Sequence, residues 1–322
     1  MSKKFVFLPP PFSTVTEWKT ALEKTVDGVD VTICDTREAA LAALPQARAA
    51  YGTLDPELLG CAVNLQWLAC PLAGPQPSFY FPELVASDVT VTNVRGVYND
   101  HISVHIMAFV LAFTRNLHVY LGDQFRGEWH GRSEQGKAIH LPQATALIVG
   151  VGGIGAETAR HCAYFGMHVI GTDPRVTEAP EGVSEMYPPE ALDDHIGQAD
   201  FVIMTAPQTP KTERMMDLER MRKMKSTGVL INIGRGANVV LDDLAQALEE
   251  GVIGGAGLDV FEQEPLPPGH RLWSAPNFMM TPHVAAAGGF LEERRRNLLA
   301  DNCRRFFAAD ELVNVVDKAN WF

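Results

Sequence analysis

Along the first hundred residues, short apolar runs alternate with stretches whose apolar residues recur at helical spacing. Residues 4–8 read as a strand, Val15, Trp18 and Leu22 share one helical face, and the β-branched run 29–34 is strand-like again. The alternation continues through strand-like runs at 49–54, 65–70 and 89–94. Pro56-Glu57 and Pro82-Glu83 open short helices between them. Strands separated by helices predict βαβ units and a parallel sheet.

Near residue 100 the pattern changes. Residues 101–121 contain no Pro or Gly and are apolar nearly all round, which predicts one long helix buried against a domain or a second subunit. Residues 122–142 are polar and glycine-bearing and read as a long connection. A second alternating series follows, with strands expected at 144–149, 168–173, 201–205, 228–233 and 257–260. Helices are expected at 156–165, 189–196, 218–223 and 242–249. A charged amphipathic helix over 290–308 closes the pattern, its run Arg294, Arg295 and Arg296 reading as a solvated face, and 313–316 follows it.

Composition narrows the class. At 322 residues the chain is long enough for about two domains. Its 27 Lys and Arg against 39 Asp and Glu give a net charge of −12, the wrong sign for a protein that tracks phosphate backbones, so no nucleic-acid partner is expected. No apolar run reaches the ~18–20 residues that span a bilayer, and the apolar stretch before Pro9 is too short for a signal peptide. Five cysteines without C-x-x-C spacing read as reduced thiols of a cytoplasmic protein, with no metal site.

The second series opens on chemistry. The strand 145–149 runs into Gly150-Val151-Gly152-Gly153-Ile154-Gly155, a G-x-G-x-x-G turn followed by a helix. Gly150 permits the tight turn, Gly152 lets backbone approach a pyrophosphate, and Gly155 allows close helix–strand packing. The anion would rest on unpaired N–H groups at the helix N-terminus, where the helix dipole favours negative charge. The next strand ends at Asp173, about 18 residues after Gly155 and close to the ~20 expected of a ribose-binding carboxylate. A carboxylate there repels a 2′-phosphate, so NAD is expected over NADP, with Arg175 keeping NADP open as the lesser alternative.

Three further motifs follow at strand ends. Asn232-Ile233-Gly234-Arg235-Gly236 sets an arginine between glycines, 257–265 carries Asp259, Glu262 and Glu264, and Thr281-Pro282-His283 ends an apolar run. In a doubly wound sheet all three converge on the crevice at the carboxyl ends of the strands. This ordered set resembles the D-isomer-specific 2-hydroxyacid dehydrogenases over nearly the whole chain, with 93–121 and 205–212 adding to the likeness. The resemblance implies two doubly wound α/β domains. A Rossmann NAD-binding domain (101–287) is inserted in a flavodoxin-like substrate domain (1–100 and 288–322), with the active site in the cleft between them and a homodimer as the assembly.

The resemblance also implies roles. His283 is the expected acid/base, since an imidazole of pKa ~6.5 exchanges protons near neutrality. Glu264 orients it, and Arg235 binds the substrate carboxylate and polarises the carbonyl through its planar, permanently charged fork. Gly153, Ile154, Thr205, Ala206, Pro207, Thr212, Ile233 and Asp259 join the fingerprint as cofactor contacts. The implied reaction interconverts a 2-keto acid and a D-2-hydroxy acid with NAD. The alternatives are an NADP-preferring glyoxylate or hydroxypyruvate reductase, and a non-catalytic NADH-sensing protein of the same fold.

The chain departs from the family in two places. Where a glycine-rich substrate loop is usual, 70–81 carries Pro71, Pro75 and Pro77, three aromatics and one glycine, Gly74. Leu72, Ala73 and Gly74 keep N–H groups to offer a carboxylate. Phe79, Tyr80 and Phe81 either line a larger pocket or pack on the domain. At the start of the long helix, Val104 stands where a carboxylate is usual. Glu264, not glutamine, argues against a formate dehydrogenase, and the short tail after Val316 leaves no expected regulatory domain.

Overall fold

The computed structural model describes residues 3–75, 77–130, 138–176 and 178–320. Of the long connection expected over 122–142, residues 131–137 lie outside that set. The chain divides into two compact units, Met1–Val97 with Gly288–Phe322, and Tyr98–Ala287. Each holds a wholly parallel sheet, so the fold is α/β with sheets of five and seven strands.

In the first unit β1 (Lys4–Phe7), β2 (Asp30–Ile33), β3 (Ala49–Tyr51), β4 (Trp67–Ala69) and β5 (Thr90–Thr92) order as β2-β1-β3-β4-β5, a doubly wound arrangement. Alternation along β1 sends Phe5 and Phe7 to one face, with Trp18, Trp67, Leu299 and Cys303. It sends Val6 to the other, with Ala50, Leu68 and Leu84. Helix Leu291–Ala308 therefore belongs to this unit's core. Its arginine run is not the solvated face expected: all three residues are half-buried, and Arg294 Nη1 donates to Val97 O at 3.1 Å. Phe79 and Tyr80 are buried in the second cluster with Phe81 packed against it, so the three aromatics fill the core of the unit.

In the second unit β6 (Thr145–Val149), β7 (His168–Thr172), β8 (Glu185–Tyr187), β9 (Phe201–Met204), β10 (Val229–Asn232), β11 (Gly255–Leu258) and β12 (Phe278–Met280) order as β12-β11-β10-β9-β6-β7-β8. Chain order reverses between β6 and β9, the position at which such sheets open a ligand crevice. Helix Asn99–Thr114 lies close against this sheet. A Cβ on Gly257 would come 2.9 Å from the Phe109 ring, and one on Gly255 would come 2.8 Å from Phe113, which is why β11 reads Gly-Ala-Gly-Leu.

The single helix expected over 101–121 is two helices, Asn99–Thr114 and Leu117–Arg126, bent by 70°. Asn116 takes a left-handed φ of 55°, a conformation asparagine tolerates better than most residues, and the first helix closes there. Residues 122–126, expected in the connection, complete the second helix. Apolar periodicity cannot register such a break, because the residues on either side remain apolar. The burial of Ile106, Phe109, Val110 and Phe113 is met inside this unit's own core, so it gives no reason for a second subunit. Among the described residues no single helix is long and apolar enough to cross a membrane.

Candidate active site

The strand-to-helix turn after β6 is shaped by what its glycines exclude. Gly150 holds φ at 96°, and a Cβ there would lie 2.7 Å from Ala206 N. A Cβ on Gly155 would overlap the Gly150 carbonyl, so β6, the turn and helix Gly153–Tyr164 close up only around glycine. Gly152 caps that helix with no side-chain bond to its first N–H groups, leaving backbone to meet an anion. Across the switch point, Thr205 Oγ1 donates to Gly150 O at 2.5 Å and Asn238 Nδ2 donates to Ala206 O at 3.0 Å. Thr212 Oγ1 donates to Pro207 O at 2.7 Å, folding the loop after β9 on itself. Ile233 is buried at the end of β10 and Ile154 is half-buried on the helix.

Asp173 follows β7 with its carboxylate buried; it accepts the Arg175 N–H at 2.9 Å, and Arg175 Nε lies 3.5 Å away. The Arg175 guanidinium also comes within 3.7 Å of the place a Gly152 Cβ would take. This donor set fits a dinucleotide: a backbone anion cradle, an acid one strand away, and a cation beside both. Sequence reasoning passed over Asn99, whose Nδ2 stands 2.5 Å from the position of a Gly153 Cβ. No local motif marks it, because the approach depends on how two helices pack.

His283, Glu264 and Arg235, the expected reactive groups, all follow strands of this same sheet. His283 Nδ1 pairs with Glu264 Oε2 at 2.7 Å, and Glu264 Oε1 accepts the Phe261 N–H at 2.9 Å. With Nδ1 so engaged, Nε2 is the nitrogen turned from the carboxylate. Both side chains are partly exposed, as a group meeting substrate must be. His283 sits at φ 55° in a turn that Asp259 builds. The buried Asp259 carboxylate accepts from Thr281 Oγ1 at 2.6 Å, Val284 N at 2.9 Å and Ala285 N at 3.0 Å. His105 Nε2 meets Thr281 Oγ1 at 2.9 Å and extends this support, a role the sequence did not reveal. Glu262, two residues from Glu264, lies instead 3.8 Å from Arg214.

Arg235 follows β10. Asn232 shapes its turn, accepting from Gly234 N at 3.1 Å and donating to Arg235 O at 2.9 Å, while Arg235 Nη1 donates to Gly234 O at 2.6 Å. A Cβ on Gly236 would overlap the Phe261 carbonyl, so the second glycine of the motif lets β10 and β11 approach past their ends. Elsewhere Asp123, Glu128 and His130 bring candidate metal-ligand atoms within 4.8 Å of one another. Arg126 bonds both carboxylates, which makes the cluster an ion-pair network.

In the first unit, the loop after β4 is tied down from behind. Asn93 Nδ2 donates to Ala73 O at 2.9 Å, and burial pushes the Cys70 thiol up to about 12 against the opposing pull of the Leu72 N–H. Leu72 and Ala73 are exposed and Gly74 is half-buried.

Residues 107–285 match the family model described as D-isomer specific 2-hydroxyacid dehydrogenase, NAD binding domain. A glyoxylate/hydroxypyruvate reductase B of Yersinia pestis is 33% identical over 91% of this chain and 88% of its own. A D-isomer specific 2-hydroxyacid dehydrogenase of Xanthobacter autotrophicus, solved with NADPH and MES, superposes with a TM-score of 0.86 at 28% identity, covering both chains fully. An NADPH-dependent glyoxylate/hydroxypyruvate reductase of Sinorhizobium meliloti, solved with NADP and sulfate, gives 0.82 at 29% identity, again over both whole chains.

Proposed function

This chain belongs to the D-isomer specific 2-hydroxyacid dehydrogenase family, and on that premise we propose that it interconverts a 2-keto acid and a D-2-hydroxy acid with NAD, His283 acting as acid/base. The observation that carries this reading is the 2.7 Å His283–Glu264 pair on the sheet that also bears Arg235. A bound reduced dinucleotide supplies hydride to C2. His283 gives the carbonyl oxygen its proton from Nε2, and Glu264 fixes the ring through Nδ1. Arg235 holds the substrate carboxylate and draws electron density from the carbonyl. Within the other unit, Ala73 and Gly74 are assigned to offer N–H donors to a carboxylate, the Leu72 N–H facing the Cys70 thiol instead, and we assign Met1–Val97 with Gly288–Phe322 as the substrate domain and Tyr98–Ala287 as the dinucleotide domain.

Asp173 supports NAD, because its carboxylate accepts ribose hydroxyls and opposes a 2′-phosphate. A second reading, NADP preference, is favoured by Arg175 beside the same cradle and by the NADP carried by two solved relatives. A homodimer is proposed on different grounds from those the sequence offered. Leu117, Leu121 and Phe125 line one face of their helix and Trp129 follows, Phe125 being 85% and Trp129 99% exposed. Light scattering at micromolar concentration reads the mass directly, and a monomer there removes the dimer.

The deciding experiment follows the absorbance of reduced nicotinamide, with NADH and with NADPH, against glyoxylate, hydroxypyruvate, pyruvate, branched-chain 2-keto acids and phenylpyruvate. Turnover faster with NADH is the expected result. Turnover faster with NADPH selects the second reading. Dinucleotide binding without turnover of any acid replaces catalysis with sensing.

A further inference from the structure

Arg295 reaches from helix Leu291–Ala308 to the loop after β4. Its Nη2 donates to Tyr51 Oη at 3.1 Å and to Pro71 O at 3.4 Å, and its guanidinium carbon lies 5.7 Å from the centre of the Trp18 ring. Tyr51 ends β3 and Pro71 begins the loop, so one side chain joins helix, strand and loop across a sequence separation of 224 residues. From another direction Asn93 holds Ala73 O. Two carbonyls of one short loop are thus fixed by side chains that other elements place.

A planar trans peptide points its N–H opposite to its C=O. Holding Pro71 O therefore sets the direction of the Leu72 N–H, which faces the Cys70 thiol, and holding Ala73 O sets that of the Gly74 N–H. A guanidinium offers a fork of donors and a permanent charge, whereas an ammonium offers a single point. That charge, fixed close to the loop, also favours an incoming anion.

We propose that Arg295 is a positioning residue for substrate binding: with the Cys70 thiol facing the Leu72 N–H on the other side, it holds the 71–72 peptide so that the loop presents the N–H groups that follow, those of Ala73 and Gly74, to the carboxylate of a 2-keto acid. It takes no part in proton transfer. The inference rests on the assignment of Ala73 and Gly74 to the substrate carboxylate.

The test uses the full chain carrying Arg295→Lys or Arg295→Ala. In both, KM for glyoxylate and the dissociation constant for oxalate rise about tenfold, the size expected for one charge-assisted hydrogen bond. The kcat and the dinucleotide dissociation constant stay within about twofold. Methylguanidinium added to Arg295→Ala lowers KM again. A residue that only stabilised the fold would change the active fraction, not the KM of the molecules that remain folded. Unchanged KM in the folded Lys variant overturns the proposal, and so does a fall in kcat at constant KM. Ala73→Pro separates the two assignments. If removing that N–H leaves KM unchanged, the reading of the loop fails. If it raises KM while Arg295→Lys does not, the loop reading stands and the role of Arg295 falls.

Discussion

The turn at Gly150–Gly155 and the loop at Cys70–Gly74 both follow a parallel strand, and both are assigned to an anion, yet they are held in opposite ways. The first is shaped by exclusion: side chains at Gly150 and Gly155 would occupy the space of Ala206 N and the Gly150 carbonyl. The second is shaped by anchoring, its carbonyls caught by Asn93 and Arg295. Exclusion tolerates no change at its glycines, whereas anchoring degrades one bond at a time. The seven-stranded sheet also carries the His283–Glu264 pair and Arg235, so on the proposed reading damage there should lower kcat, cofactor affinity or substrate affinity, and damage to the loop should lower only the grip on substrate.

The largest expected effect tests that division. His283→Gln keeps a polar side chain but cannot exchange a proton near neutrality, and kcat should fall by about 10²–10⁴-fold. Fluorescence titration should show NADH binding unchanged. A variant retaining more than a tenth of wild-type kcat would remove the proton-transfer assignment and, with it, the claim that chemistry resides on this sheet.

Next in size is Gly155→Ala. The added methyl overlaps a backbone carbonyl that cannot swing aside, so turn and helix must separate. Dinucleotide affinity should drop by about 100-fold, with a lower Tm. Wild-type affinity would show that the cradle gives way as readily as the loop. Asp173→Ala is milder: the NADPH-to-NADH ratio of kcat/KM should rise about tenfold, since one carboxylate is worth roughly that against a 2′-phosphate. An unchanged ratio would leave Arg175 as the group that sets cofactor choice.

The two regions were also unequally legible. The cradle is local, so its spacing and flanking strand announced it, and Arg235, Glu264 and His283 stood in motifs at strand ends. The anchoring of the loop is not local. Arg295 read as one of three solvated arginines because nothing near it in sequence shows Tyr51 or Pro71. Asn99 and His105 escaped for the same reason, each meeting a group brought close only by packing. Strand β8 was missed because its three residues, all half-buried, lack an apolar signature. The bend at Asn116 was missed because a single left-handed residue leaves no mark on periodicity.

The smallest effect on catalysis should come from the aromatic residues of the loop, which on sequence alone had equal claim to pocket and core. Phe79 is 7% exposed and packs with Leu84, Tyr80 and their neighbours, its ring edge-on to Tyr80 at 5.1 Å. A residue so placed contributes packing, and Phe79→Ala should cost about 3–5 kcal/mol of stability, as other large-to-small core changes do. Relative kcat/KM across glyoxylate, pyruvate and phenylpyruvate should stay within about twofold, because the ring is packed in the core of its unit. Thermal melts and the three-acid comparison read the two effects separately. If phenylpyruvate alone gained or lost activity, the aromatics would shape the substrate pocket, and the loop would select substrate as well as hold it.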